Sequence, residues 1–240
     1  MNEDETNIPE SAIETLARSF YKESTGYGFK QVDYLRFVNN LLDIAMQKKP
    51  DGSPKADNII ETLYTGLENE IVKFPLCGKR MFIRKPAPLD DKKLWEKWLS
   101  DEEGRHFLLS RITAQSLSID QILYDDKNIT GMITLPDGLT IGAVTFLDFD
   151  ARQLKAELRK IIGEPQYRGQ GYAKEATILW LKYGIVTLGL KKIYLNTLDT
   201  NIRNIHMNEE LGFKVEGIMR SEVLIDDEYR DVLRMGLRIE

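Results

Sequence analysis

Between Ala156 and Leu188 the chain changes character in a way that restricts what it can fold into. An apolar stretch from Arg159 to Glu164, with the length of a strand, stops at Gly163 and Pro165. Two glycines follow at Gly169 and Gly171, and from Tyr172 the apolar residues take up helical spacing. Glycine reaches backbone angles closed to other residues and removes the side chains that would hold a ligand away from the main chain. N–H groups in such a turn, with the positive end of the following helix dipole, make a place for phosphate oxygens, and Arg168 adds charge beside it. Spacing narrows the ligand. A dinucleotide fingerprint would need glycine where Lys174 stands, and a nucleotide P-loop would need four residues between its glycines and then Gly-Lys-Ser/Thr. What remains is Gln166-x-x-Gly169-x-Gly171, a pattern that a purely structural turn before a helix also produces.

The 240 residues are enough for one large domain or for a domain with an extension. No apolar run is long enough to span a membrane, and the acidic start Met1-Asn2-Glu3-Asp4-Glu5 is not followed by the apolar core of a secretory signal. A single cysteine, Cys77, excludes an internal disulfide and a cysteine-built metal site, and no metal is expected. A cytoplasmic protein is the simple expectation. The net charge of -5 argues against nucleic-acid binding, which needs concentrated Lys and Arg. It is compatible with a cationic substrate, although an acidic surface that only aids solubility is the simpler explanation.

In the amino-terminal part, Pro9 with a Ser11/Glu14 capping-box spacing predicts a helix that ends before Gly26. Apolar stripes predict two more, at about 30–47 and 57–72, separated by the Pro50 to Pro54 loop. From Met81 the pattern predicts a short strand over 81–84 and then a helix carrying Trp95 and Trp98, a pair read as core. Another helix is expected over 118–124. Strands over 129–135 and 139–149 are joined by the Pro136-Asp137-Gly138 turn and lead into the glycine stretch. After it come a helix over 172–188, a strand over 192–198, a helix over 201–211 and a final hairpin from Phe213 to Ile239, with Asp226 and Asp227 in its turn. The fold class is therefore α+β, a mixed and mostly antiparallel sheet flanked by helices. A helical extension is expected over residues 1–78 and the main domain over 79–240.

With Gln166, Gly169 and Gly171, the run Gly138 to Gly142, the pair Asn201 and Asn204, Leu211-Gly212-Phe213 and Glu216-Gly217 with Arg220 together resemble the GNAT acetyltransferases. The branch most similar is that of the ribosomal-protein N-terminal and spermidine acetyltransferases. The resemblance implies acetyl-CoA as donor and direct attack of a primary amine, on a small molecule or a protein amino terminus, on the acetyl thioester. Ile161, Ile162 and Gly163 would offer main-chain groups to the pantetheine arm. Gln166 and the run Arg168, Gly169, Gln170, Gly171, Tyr172 and Ala173 would surround the pyrophosphate, and Asn201 with Asn204 would hold the pantetheine end. Glu157 is the first candidate for the base that removes the ammonium proton and Glu164 the second. Relatives carry a proton-donating tyrosine three residues before Leu-Gly-Phe; here it is Asn208, and an amide is no general acid. The donor is then water, Tyr172 or Tyr229, or the thiolate leaves unprotonated. His206 nearby reads as a packing or surface residue. The alternative is a non-catalytic acyl-CoA-binding or partner-binding protein. A homodimer is left open, and neither nucleic acid nor membrane is expected as a partner.

Overall fold

The computed structural model describes residues 8–29, 34, 37, 38, 41, 44, 72–100, 118–198, 201–225 and 227–239. The chain divides into two compact units, Met1–Asp51 and Gly52–Glu240. In the first, helix α1 (Glu10–Gly26) begins directly after Pro9, which has no N–H to leave unsatisfied. The Ser11/Glu14 capping box does not form: Ser11 lies inside the helix, where its carbonyl accepts from the Thr15 hydroxyl at 2.7 Å. Tyr34, Phe37, Val38, Leu41 and Ile44 are helical, and Phe37 stacks on Phe20 with ring centroids 4.1 Å apart. The rest of the proposed second helix, and the third up to residue 71, lie outside the described residues.

The second unit is built on an eight-stranded sheet in the order β1-β2-β3-β4-β5-β6-β8-β7. Its strands are β1 (Leu76–Cys77), β2 (Phe82–Arg84), β3 (Ile129–Thr134), β4 (Thr140–Asp150), β5 (Lys155–Ile162), β6 (Lys192–Leu198), β7 (Lys214–Ile225) and β8 (Glu228–Arg238). Helices α2 (Pro88–Ser100), α3 (Ile119–Tyr124), α4 (Tyr172–Val186) and α5 (Ile202–Glu210) connect them. Neighbouring strands are antiparallel except β5 and β6. The mixed α+β arrangement is the one that the order of apolar patterns predicts. Two details differ. The sheet already starts at Leu76, where two residues are too few to show alternation, and β5 starts at Lys155 rather than Arg159. Lys155, Glu157 and Arg159 give the strand a charged aspect, although Glu157 and Arg159 are buried.

Alternation along β5 sorts its side chains onto two faces. Ala156 and Leu158 join the main core, which includes Trp180 and Leu181 of α4 and Phe146 of β4. Ile161, on the other face, packs in a smaller cluster with Trp95, Trp98 and Ile122. The tryptophan pair is thus core, at 0% and 1% exposure. A capping box does occur, at α3: the Ser118 hydroxyl accepts from Gln121 N–H, and the Gln121 side chain accepts from Ser118 N–H.

Candidate active site

The site arises where two strands part. β5 stays paired with β4 as far as Ile162, but its parallel pairing with β6 ends at Glu157 opposite Tyr194. Beyond that point the edge of β5 that would face β6 opens into a cleft of about 450 Å³, bounded on the other side by α5 and closed above by the glycine turn. The turn is a short 3-10 segment, Pro165–Tyr167, followed by Gly169 at φ +74° and Gly171 at φ +85°. Gly171 is the N-cap of α4 and its left-handed angle is what rotates the chain into the helix. The first-turn N–H groups of a 15-residue helix therefore sit at the mouth of the cleft.

Of the residues that the resemblance assigns to the cofactor, Ile161, Ile162, Arg168, Gly169, Gly171, Tyr172, Ala173, Asn201 and Asn204 line the cleft. Gly163, Gln166 and Gln170 do not, and serve the turn's geometry instead. The Gln170 side chain donates to the Gln166 carbonyl, and the Gly163 carbonyl accepts from Arg168 at 3.2 Å. Arg168 also donates to the Ile162 carbonyl at 2.9 Å, which fixes its guanidinium beside the parted strand. Asn201 caps α5 by accepting from Asn204 N–H at 3.2 Å, while the Asn204 amide donates to Thr197 Oγ1 at 3.1 Å.

Several residues of the site carry no signal in the motif. Arg203 reaches the Gly169 carbonyl at 3.2 Å. Arg80, from the segment before β2, donates to the Gln170 carbonyl at 2.9 Å and to Glu175 at 2.9 Å, and its guanidinium lies 4.4 Å from the Tyr172 ring centroid. Lys160, Lys174 and Met207 also line the cleft. Arg203 stands within the Asn201–Asn204 spacing and was open to inference from it; Arg80 comes from a distant part of the chain and was not. Among the described residues the lining includes Lys160, Arg168, Lys174 and Arg203 and no carboxylate, a donor set that suits a polyanionic ligand. With the glycine turn and the parted strand, it fits a coenzyme A moiety: loop amides and arginines for the phosphates, and the edge of β5 that β6 does not cover for an amide-bearing arm.

The two candidate bases lie off the cleft. Glu157, 2% exposed, is paired with Arg159 at 2.5 Å and accepts from the Asn196 amide at 3.1 Å. It occupies the face of β5 opposite to Lys160, at the last residue before the strands part. Glu164 accepts from Lys97 Nζ at 2.6 and 2.9 Å and from the Trp98 indole N–H at 3.1 Å, which ties α2 to the end of β5. The Lys97 hydrogen bond, aided by Trp98, holds its carboxyl below the usual glutamate value. A depressed carboxylate stabilises the fold above the unfolded value of about 4.3, and that contribution is lost as pH falls through the lower folded value. Glu164→Gln should therefore flatten the acid side of the stability curve, read as the urea midpoint between about pH 5 and 3. An unchanged acid slope would contradict this.

A model of the acetyltransferase (GNAT) domain matches residues 80–214. The chain belongs to the GNAT acetyltransferase family. Among its relatives, the spermidine N(1)-acetyltransferase of Escherichia coli K12 is 35% identical over 117 residues, which is 47% of this chain and 62% of that enzyme. This family member thus matches less than two thirds of that relative's length. An uncharacterized prophage-derived N-acetyltransferase of Bacillus subtilis is 28% identical over 68% of this chain and 92% of its own. Spermidine N-acetyltransferase from Vibrio cholerae, solved in complex with CoA and spermine, superimposes with a TM-score of 0.57 at 22% identity, covering 66% of this chain and 95% of that one. That likeness establishes a shared fold. Among the described residues no helix is long and apolar enough to cross a membrane.

Proposed function

We propose that this GNAT protein transfers the acetyl group of acetyl-CoA to a primary amine by direct attack. The observation that carries the reading is the parting of β5 from β6 directly beneath a glycine turn flanked by Arg80, Arg168 and Arg203. Residues 79–240 form the transferase unit of this proposal and residues 1–78 its helical extension, apart from β1 (Leu76–Cys77), which pairs with β2 at the edge of the unit's sheet. The main-chain edge at Ile161, Ile162 and Gly163 receives the pantetheine arm. The turn from Gln166 through Ala173 receives the pyrophosphate, and Asn201 and Asn204 border the arm's far end. Within this reading the acetyl thioester lies in the gap between the strands, with the coenzyme on the α4 face and the amine arriving from the α2 and α3 face.

That geometry favours Glu157 over Glu164 as the group that receives the ammonium proton. Both carboxylates are paired, Glu157 with Arg159 and Glu164 with Lys97, but Glu157 stands where the gap begins, whereas Glu164 lies beyond the end of β5 and ties it to α2. Glu157→Gln should lower kcat about a hundredfold while leaving the Kd for coenzyme A within about threefold. Equal turnover by the variant would remove Glu157 from the mechanism. The amine class is proposed from relatives: polyamines such as spermidine or spermine come first, because the relatives carry those names and the net charge of -5 suits a polycation.

The test of the whole reading is release of free thiol from acetyl-CoA against a panel of polyamines, amino sugars, amino acids and peptides with free amino termini. Turnover with one class supports transfer and names the acceptor. Tight coenzyme binding without turnover on any amine supports the second reading, a non-catalytic acyl-CoA-binding protein. That reading is favoured by Asn208 and by the salt bridges that occupy both candidate carboxylates.

A further inference from the structure

The cleft contains an ionisable group that the motif does not anticipate. Lys160 follows Glu157 by three residues on β5, just past the point where β6 leaves, and it lines the cleft. Its Nζ donates to Oδ1 of Asn208 at 2.6 Å. Asn208, on the last turn of α5, is fully buried, and its carbonyl accepts from Leu211 N–H and Phe213 N–H, so its backbone is fixed. Its Nδ2 has no hydrogen-bond partner among the described residues. An amide with one end committed and one end free can serve a lysine in either protonation state. The oxygen accepts from an ammonium, and after a flip the NH2 donates to a neutral amine.

We infer that Lys160 is the general acid that protonates the departing coenzyme A thiolate, with Asn208 as the residue that positions its Nζ. The inference rests on the acetyl-transfer reading of the cleft. Lys160 stands on the coenzyme's face of the strand, opposite to Glu157, so that base and acid flank the gap from its two sides. The amine nitrogen forms its bond to the acetyl carbon and the C–S bond breaks with its electron pair on sulfur. Sulfur takes a proton from the Lys160 ammonium, and the surplus N–H proton of the new amide leaves through the base. Lys160 is then reprotonated from solvent. A neutral amine and a thioester give an amide and a thiol with no net proton released.

The surroundings are consistent with a proton that can be given up. Lys160 keeps some exposed surface, yet burial lowers its pKa from 10.5 to about 7. The other titratable groups facing the cleft are Tyr167 and Arg168 of the turn, Tyr172 and Lys174 of α4, and Arg203 of α5. Among the described residues that line the cleft none is a carboxylate, and Glu210 of α5, which does not line it, pairs with Lys174 at 2.6 Å. The folded state bears the penalty of a charged Lys160 below about pH 7, and the penalty disappears as pH rises to the unfolded value of 10.5.

The experiment uses the full chain with acetyl-CoA and spermidine, or the best amine of the panel, and measures thiol release from pH 6 to 9.5, coenzyme A affinity and urea midpoints. Wild-type kcat should fall as pH rises through about 7. Lys160→Met should lower kcat about a hundredfold, abolish that alkaline fall and keep coenzyme affinity within about threefold. Its stability advantage over wild type should shrink between pH 7 and 10. Asn208→Leu, which keeps the lysine but removes its partner, should move the alkaline limb and lower kcat about tenfold. A folded Lys160→Met enzyme with wild-type kcat and an unchanged pH profile overturns the inference while acetyl transfer stands. Acetylation of Lys160 itself, seen by mass spectrometry, overturns it by making the lysine an acceptor. Coenzyme binding without turnover by the wild type removes the transfer reading and the inference with it.

Discussion

Replacing Gly163 with alanine should destabilise the protein by about 3 kcal/mol, or roughly 6–12 °C in Tm. A Cβ at this position would fall inside the Trp98 indole. Trp98 is 1% exposed and donates to Glu164, so it cannot swing away without opening the smaller core cluster and losing that hydrogen bond. The penalty is one of space alone, since Gly163 does not occupy the left-handed region. Differential scanning calorimetry of Gly163→Ala beside Gly163→Ala/Trp98→Leu checks the cause. If the second substitution restores no stability to the first, the clash with the indole is not its source.

Gly171→Val is expected to weaken coenzyme A binding about a hundredfold, the scale of losing one or two hydrogen bonds to a charged group. The valine Cβ would stand 3.4 Å from an Arg80 nitrogen, at a position that lines the cleft. Because Gly171 has φ +85°, the change also strains the backbone by about 1–3 kcal/mol, so a loss of stability accompanies the loss of binding. Gly138 provides the control. It has φ +91°, open space around its Cβ position and a place in the β3–β4 hairpin. Gly138→Val should show comparable strain with unchanged coenzyme affinity, measured by calorimetric titration at a temperature where both variants are folded. Parallel loss of affinity in both would mean that Gly171 acts through stability and not through the phosphate site.

Much of the architecture could be read from the residues because the apolar spacing of this chain changes wherever an element changes. The hairpin at Pro136 to Gly138, the helix from Tyr172 and the strand Lys192–Leu198 all stand where their patterns place them. The core role of Trp95 and Trp98 was legible for the same reason. β1 was not, since two residues show no period. The Ser11/Glu14 spacing misled because the helix starts at Glu10, after Pro9 and one residue before Ser11, whereas Ser118 and Gln121, with the same spacing, do form the box. The glycine turn could be located, but its outer residues could not be told apart: Gln166 and Gln170 bond to each other while Gly169 and Gly171 face the cleft. Side-chain pairings between distant elements were beyond a linear reading. Nothing local to Glu164 announces Lys97, 67 positions away, and nothing local to Lys160 announces Asn208, 48 positions away.

The single parallel pairing in the sheet has a wider consequence. Antiparallel neighbours can be joined by tight hairpins, but β5 and β6 run the same way and need a return path the length of the domain, which α4 supplies. That path obliges the chain to turn at the carboxyl end of β5, so the helix start, the glycine turn and the gap between the strands all fall at one end of the sheet. They are a single topological event rather than three separate inventions. A rearranged chain with new termini at the Arg152–Gln153 turn would leave this unit whole, whereas one cut between Pro165 and Gly171 would divide strand, turn and helix at once.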